Sequence, residues 1–346
     1  MTLFITGAAG FIGSSFLRIA KKNATFKKIV ILDALTYAGR LENIDQVVDN
    51  IDVIFEKVDI RDFETVSSLF DKYTPHAVAH FAAESHVDNS ISGPRIFVET
   101  NVLGTLNLLE SSRALFQKSD ADFQNKFRFV HVSTDEVFGQ LGETGFFNEK
   151  TSYDPSSPYS SSKAASDHLV RAWQHTYKLP TIVTNCSNNY GPRQFPEKLI
   201  PRIILNCLSE KTLPVYGQGL NIRDWIYVDD HSEGVWLALT KGIVGDTYCL
   251  GGNAERKNID VVKTICKILD QKRPRKNGES YEKLIAFVED RKGHDFRYAI
   301  DDSHAIKTLG YKRRFKTFEE GLESTVNWYL ENTEWIAAIS LGSAKS

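Results

Sequence analysis

The chain is poor in sulfur, has no charge surplus and has no long apolar run. Among 346 residues it has one methionine and four cysteines. The cysteines Cys186, Cys207, Cys249 and Cys266 lie scattered in apolar segments, without metal-ligand spacing, and read as buried thiols of a reducing compartment. No apolar stretch approaches the ~20 residues that span a bilayer. Met1 to Ile5 leads straight into glycines, with no basic leader or cleavage site before it. The 42 Lys and Arg are offset by 44 Asp and Glu, a formal net charge of -2, which excludes a surface that holds nucleic acid by charge alone. Lys272 to Lys276, the longest cationic stretch, contains Pro274 and reads as a solvated loop. There remains a soluble, cytoplasmic globular chain, 42% hydrophobic and 25% charged, long enough for roughly two domains of ~150 residues.

The first half alternates short apolar runs with helical stretches. Runs at Thr2 to Ile5, Lys28 to Leu32, Val53 to Lys57, Ala77 to Phe81, Phe129 to Ser133 and Thr181 to Cys186 predict buried strands. Helices are predicted at Phe11 to Lys21, Phe63 to Tyr73, Val98 to Phe116 and Tyr159 to Tyr177. Continuous apolar strands separated by helices indicate a parallel sheet covered on both faces. Beyond about Asn189, Pro192, Pro196, Pro201 and Pro214 break the rhythm. Short strands at Trp225 to Val228 and Thr247 to Leu250, with helices at Ile259 to Leu269 and Thr317 to Asn332, suggest a smaller second domain. The expected fold is therefore α/β. Residues 1–189 form a doubly wound, Rossmann-type parallel sheet, and 190–336 form a smaller C-terminal α/β substrate-binding domain. Residues 337–346 read as a frayed tail.

Gly7-Ala8-Ala9-Gly10-Phe11-Ile12-Gly13 follows the first strand and opens a helix. Gly7 permits the tight turn, Gly10 lets a pyrophosphate approach the backbone, and Gly13 lets helix and strand pack closely. The helix N-terminus adds amide donors and a positive dipole end. Asp33 ends the second strand, where a carboxylate accepts from the adenosine ribose hydroxyls and repels a 2′-phosphate. That selects NAD over NADP. Asp59-Ile60, after the third strand, is spaced to flank the adenine.

Tyr159-Ser160-Ser161-Ser162-Lys163 places a phenol and an ammonium at i and i+4 on one helix face. A nearby cation would lower the phenol pKa and let Tyr159 take a proton from an alcohol as hydride leaves the same carbon. Thr134-Asp135-Glu136 ends the fifth strand, at the carboxyl edge where open α/β sheets bind ligands. Two adjacent carboxyls supply an acid and a base if their pKa values are pushed apart. His76 and His80 flank a strand, where their spacing does not make one metal-binding face.

Gly7 to Gly13, Asp33 and Tyr159-x-x-x-Lys163 resemble the extended short-chain dehydrogenase/reductase family. Phe81 to Asp88, Val132 to Gly139, Ser187 to Pro192, Phe195 to Pro201 and Arg223 to Trp225 are similar to its nucleotide-sugar 4,6-dehydratases, those acting on dTDP-glucose in particular, over about Thr2 to Trp335. The resemblance implies an NAD-dependent lyase and homodimer that makes a 4-keto-6-deoxy sugar nucleotide. It assigns Tyr159 to the C4 hydroxyl proton, Thr134 to the C4 oxygen, Glu136 to the C5 proton, Asp135 to protonation of the departing C6 hydroxyl, and Lys163 to the nicotinamide ribose. Phe11, Ile12, Ala82, Ala83, Thr100 and Asn189 match cofactor positions. Ser85, Asn188, Lys198, Leu199, Pro214, Tyr216, Arg223, Asn258, Arg291 and His294 match substrate positions, the two arginines suiting a diphosphate. Asn185, Arg193, Asn89 and Lys292 depart from the family pattern, which leaves thymine against uracil open. A UDP-glucose 4,6-dehydratase, a sugar-nucleotide 4-epimerase and a non-catalytic dinucleotide sensor are the alternatives.

Overall fold

The computed structural model describes residues 1–45, 52–290 and 293–343. Six strands pair in parallel: β1 (Thr2–Thr6), β2 (Lys28–Asp33), β3 (Val53–Lys57), β4 (Ala77–His80), β5 (Arg128–Thr134) and β6 (Thr181–Cys186), in the order β6-β5-β4-β1-β2-β3. Their central residues are apolar on both faces because both faces are covered: Phe4, Ile5, Val30, Ile31, Val78 and Val130 are fully buried. On one side Phe16 and Leu17 of the helix Phe11–Asn23 pack with Trp236 and Leu239 of the helix Val228–Lys241. On the other, Val66 and Phe70 of the helix Phe63–Tyr73 meet Leu108 and Leu109 of the helix Thr105–Lys118 and Val170 of the helix Pro158–Tyr177. Burying each such side chain contributes roughly 1.5–3 kcal/mol. The chain leaves β1 toward β2 on one side and reaches β4 on the other, so the carboxyl ends of β1 and β4 frame the crevice where such sheets bind ligands.

Past β6 the chain forms β7 (Asn188–Tyr190), β8 (Leu213–Tyr216) and β9 (Ile222–Tyr227). It then returns to the main sheet as β10 (Thr247–Leu250), parallel to β6 from Thr247↔Val183 to Leu250↔Cys186. Sequence order therefore misleads here: a strand from beyond residue 190 belongs to the first sheet, because its four buried residues fit the open β6 edge. β11 (Glu255–Lys257) and β7 flank β9, and β12 (Ile285–Val288) pairs with β8. Helices Leu199–Leu208, Asn258–Lys272 and Phe318–Glu331 build the core of this region, with Ile203, Val262, Ile265, Leu322 and Tyr329 fully buried.

Two expectations change. Residues 337–346 are not frayed throughout, since a helix runs over Thr333–Ser343, buries Trp335 and Ile339, and lets Trp335 Nε1 donate to Asn43 Oδ1 at 2.9 Å. The segment Val98–Gly104 is a π-helical turn that precedes the helix Thr105–Lys118. Such a widened turn frees backbone groups and is frequent beside functional sites. Among the described residues no helix is long and apolar enough to cross a membrane, and all four cysteines are free and buried.

Candidate active site

The glycine turn works by excluding side chains. Gly7 has φ +71°, and a Cβ there would lie 2.6 Å from Ala82 N; a Cβ on Gly13 would lie 2.2 Å from Gly7 O. Gly10 caps the helix Phe11–Asn23 without a side chain, leaving its first-turn amides available. The buried Asp33 carboxylate accepts from Ala9 N and Leu35 N, both at 2.9 Å. Burial raises its pKa, and the two amides oppose the rise. A backbone cradle at a helix start with a carboxylate at the next strand end fits NAD.

The π turn holds the middle of the crevice. Asn101 Oδ1 accepts from Glu84 N at 2.8 Å, and its Nδ2 donates to Glu84 O at 3.0 Å and Ser162 Oγ at 2.8 Å. This ties the loop after β4 to the helix Pro158–Tyr177. That helix starts with Pro158 and a reciprocal Ser157/Ser160 capping box, so Tyr159 enters from a fixed first turn.

One cavity brings the expected groups together. Gly7, Gly10, Phe11, Ile12, Gly13, Asp33, Asp59, Ile60, Ala82, Ala83, Thr100 and Asn189 line it with Thr134, Asp135, Glu136, Tyr159 and Lys163, and with Ser85, Asn188 and Lys198. Asp59 is clamped by Arg61 at 2.6 Å, which holds its carboxyl below the usual range. Leu199, Pro214, Tyr216, Arg223, Asn258 and His294 do not line this cavity. Arg223 turns its fork to backbone, donating to Ile222 O at 2.7 Å and Asp295 O at 2.9 Å, and stacks over Tyr298. Tyr216 and His294 face each other farther out, at 6.3 Å between rings. Arg291 and Lys292 lie outside the described residues.

Thr134 Oγ1 donates to Asp135 Oδ1 and accepts from Glu136 N, each at 3.3 Å, and also hydrogen-bonds Tyr159. Asp135 is 1% exposed, and its Oδ2 has no partner among the described residues. Burial, then the Glu136 and Asp224 charges, push its pKa well above the carboxylate range, which favours its protonated form. The expected lowering of the Tyr159 pKa is corrected. Burial and the Glu136 charge raise it, while Lys163 Nζ donates to Val132 O at 2.8 Å. Burial brings Lys163 down to about 8.

Three departures from the family pattern have local contacts. Asn185 is buried and donates to Thr134 O at 3.1 Å and Asp167 Oδ2 at 3.3 Å. Arg193 stacks over Trp328. Asn89 lies in the short helix Val87–Ser92, its N–H donating to His86 Nδ1. His80 is engaged on both nitrogens, by Thr6 at 2.8 Å and Thr105 at 2.9 Å. Sequence reading missed Arg61, Glu84, Gln194, Phe195 and Glu197, which also line the cavity. They come from loops without a chemical spacing rule; their sequence signal is position, immediately after strand ends or beside Lys198.

A family model described as GDP-mannose 4,6 dehydratase matches residues 4–325. A dTDP-glucose 4,6-dehydratase of Xanthomonas campestris pv. campestris is 54% identical over 342 residues, covering 99% of this chain and 97% of the relative. The crystal structure of dTDP-glucose 4,6-dehydratase from Bacillus anthracis in complex with NAD is 42% identical, with TM-score 0.85 over 98% of this chain and 99% of that one. A UDP-glucose 4-epimerase from Thermotoga maritima, solved with UDP-glucose, is 26% identical with TM-score 0.84, over 96% of this chain and 100% of that one.

Proposed function

The chain belongs to the GDP-mannose 4,6 dehydratase family, alongside dTDP-glucose 4,6-dehydratases, and from that premise we propose how its residues work. It is an NAD-dependent hydro-lyase that converts dTDP-glucose to the 4-keto-6-deoxy sugar nucleotide. NAD takes the C4 hydride and returns it at C6, so there is no net redox change. The Gly7 to Gly13 turn and Asp33 bind it. Tyr159 takes the C4 hydroxyl proton, and Thr134 hydrogen-bonds the C4 oxygen. With C4 a ketone, the C5 hydrogen is acidic, and Glu136 removes it. Asp135 donates its proton to the C6 hydroxyl, which leaves as water. A proton then returns to C5 as C6 is reduced.

One observation carries this reading: Asp135, buried and with its pKa raised by burial and the Glu136 charge, adjoins Glu136 in the cavity that Tyr159 and Lys163 also line. An epimerase needs no such second proton pair. We further read residues 1–189 as mainly cofactor-binding and 190–336 as mainly sugar-nucleotide-binding. Arg223 and Arg291 are assigned to the diphosphate. The protein is read as cytoplasmic and homodimeric, the segments Val98 to Phe116 and Tyr159 to Tyr177 pairing with the second subunit. The test is to incubate the protein separately with dTDP-glucose and UDP-glucose. We expect loss of one water and a 4-keto product from dTDP-glucose. Dehydration of UDP-glucose alone would overturn the base assignment, and inversion at C4 without water loss would replace dehydratase by epimerase.

A further inference from the structure

Behind Lys163 lies a buried polar group that the reaction above leaves unused. Tyr159, Lys163 and Asp167 follow at four-residue spacing along the helix Pro158–Tyr177. Asp167 is 0% exposed, as is His131 of β5. Asp167 Oδ2 accepts from the Ser133 hydroxyl at 2.8 Å, the Tyr153 hydroxyl at 2.7 Å and the Asn185 amide at 3.3 Å. Its Oδ1 lies 3.2 Å from His131 Nε2, and the same nitrogen lies 3.5 Å from Lys163 Nζ.

The charges in this group decide its state. Burial works to raise the Asp167 pKa, but His131, Lys163 and the Tyr153 hydroxyl together hold it below the ordinary carboxylate range. Burial, then the Lys163 charge, push His131 to about 4, so the imidazole between them is neutral. His80 of β4, behind His131, is neutral for the same reasons. The Cys186 thiol of β6 is kept protonated by burial. Arg171, one turn beyond Asp167, is a cation and donates to the Tyr153 hydroxyl at 2.7 Å. Asp167 is thus the anion set against Lys163. A buried ammonium without an anion sheds its proton.

We propose that Asp167 is a positioning residue: across one helical turn, with His131 between, it supplies the negative charge that keeps Lys163 cationic at the floor of the cavity. This rests on Lys163 serving the dehydration described above. A purely structural Asp167 would close the Ser133, Tyr153 and Asn185 network without influencing Lys163.

The test follows the Lys163 side chain directly, by NMR of protein labelled with carbon-13 at lysine Cε, its signal assigned by loss in Lys163→Met. We expect a midpoint near about 8 in the unaltered protein. In Asp167→Asn it should lie about one pH unit lower or more, with Asp167→Glu restoring it. Tyr153→Phe, which removes one donor but keeps the charge, should leave it in place. An unmoved midpoint in folded Asp167→Asn overturns the proposal, and so does an equal shift in Tyr153→Phe. If Asp167→Asn does not fold, the unaltered protein still decides, because a midpoint below about 7 would show an ammonium without an effective counter-charge. In turnover of dTDP-glucose, the alkaline fall of kcat should move down with the midpoint while KM stays within about threefold. Failure of the unaltered protein to dehydrate dTDP-glucose would overturn the dehydratase reading, whereas the NMR midpoints judge Asp167 independently of turnover.

Discussion

The two ends of the cavity are built on opposite plans. At the β1 and β2 end, recognition belongs to backbone. Gly7 and Gly13 keep side chains away, and Asp33 sets a carboxylate in a cradle of amides. At the β5 end, side chains supply the chemistry. Asp135, Tyr159 and Lys163 are buried with displaced pKa values, and Asp167 stands behind them. The first end can hold a cofactor in almost any reaction. The second restricts which protons can move. The UDP-glucose 4-epimerase of Thermotoga maritima shares the overall fold at TM-score 0.84, so what separates this chain from it must lie largely in such side chains.

If that contrast is right, changes at the β5 end should cost turnover and changes at the β1 end should cost affinity. The largest effect is expected for Tyr159→Phe, a kcat loss of roughly 10³–10⁴-fold with sugar-nucleotide binding little changed, measured by steady-state kinetics and calorimetry. Equal losses in kcat and binding would blur the contrast. Asp135→Asn should lower water elimination about 10²-fold. Because burial and Glu136 hold its proton, elimination in the unaltered enzyme should fall as pH rises through the raised Asp135 pKa. A pH–rate profile without that alkaline fall would remove Asp135 as the acid. At the other end, Asp33→Asn should weaken NAD binding by about 1.5–3 kcal/mol, roughly ten- to a hundredfold in Kd, while kcat at saturating NAD changes little. The smallest effect is expected for Ser157→Ala. Loss of the cap at the helix start should cost about 1 kcal/mol, read from chemical denaturation. A large activity loss there would mean that the cap fixes Tyr159 more tightly than stability alone requires.

The sequence revealed these ends unequally. The glycine turn, Asp33 and the Tyr159/Lys163 pair are legible because each lies within one local element whose spacing fixes the geometry. The six parallel strands are legible because burial on both faces makes them continuously apolar. β10 was misplaced, since pairing along a sheet edge is not encoded in chain order. The Asp167 group was missed because Ser133, Tyr153, Asn185 and His131 meet it only through folding, from segments up to 36 residues away. Whether Asp135 or Glu136 carries the proton was likewise open in the sequence. Burial of Asp135 favours the proton there, and burial is a property of the assembled fold.

The central claim, that dehydration depends on Glu136 as a base distinct from the C4 oxidation machinery, is tested most directly with Glu136→Gln. Mixed with dTDP-glucose in a single turnover and followed by nicotinamide absorbance and mass spectrometry, it should show reduced nicotinamide accumulating, with no product lacking water. Normal formation of the 4-keto-6-deoxy product by this variant would contradict the account.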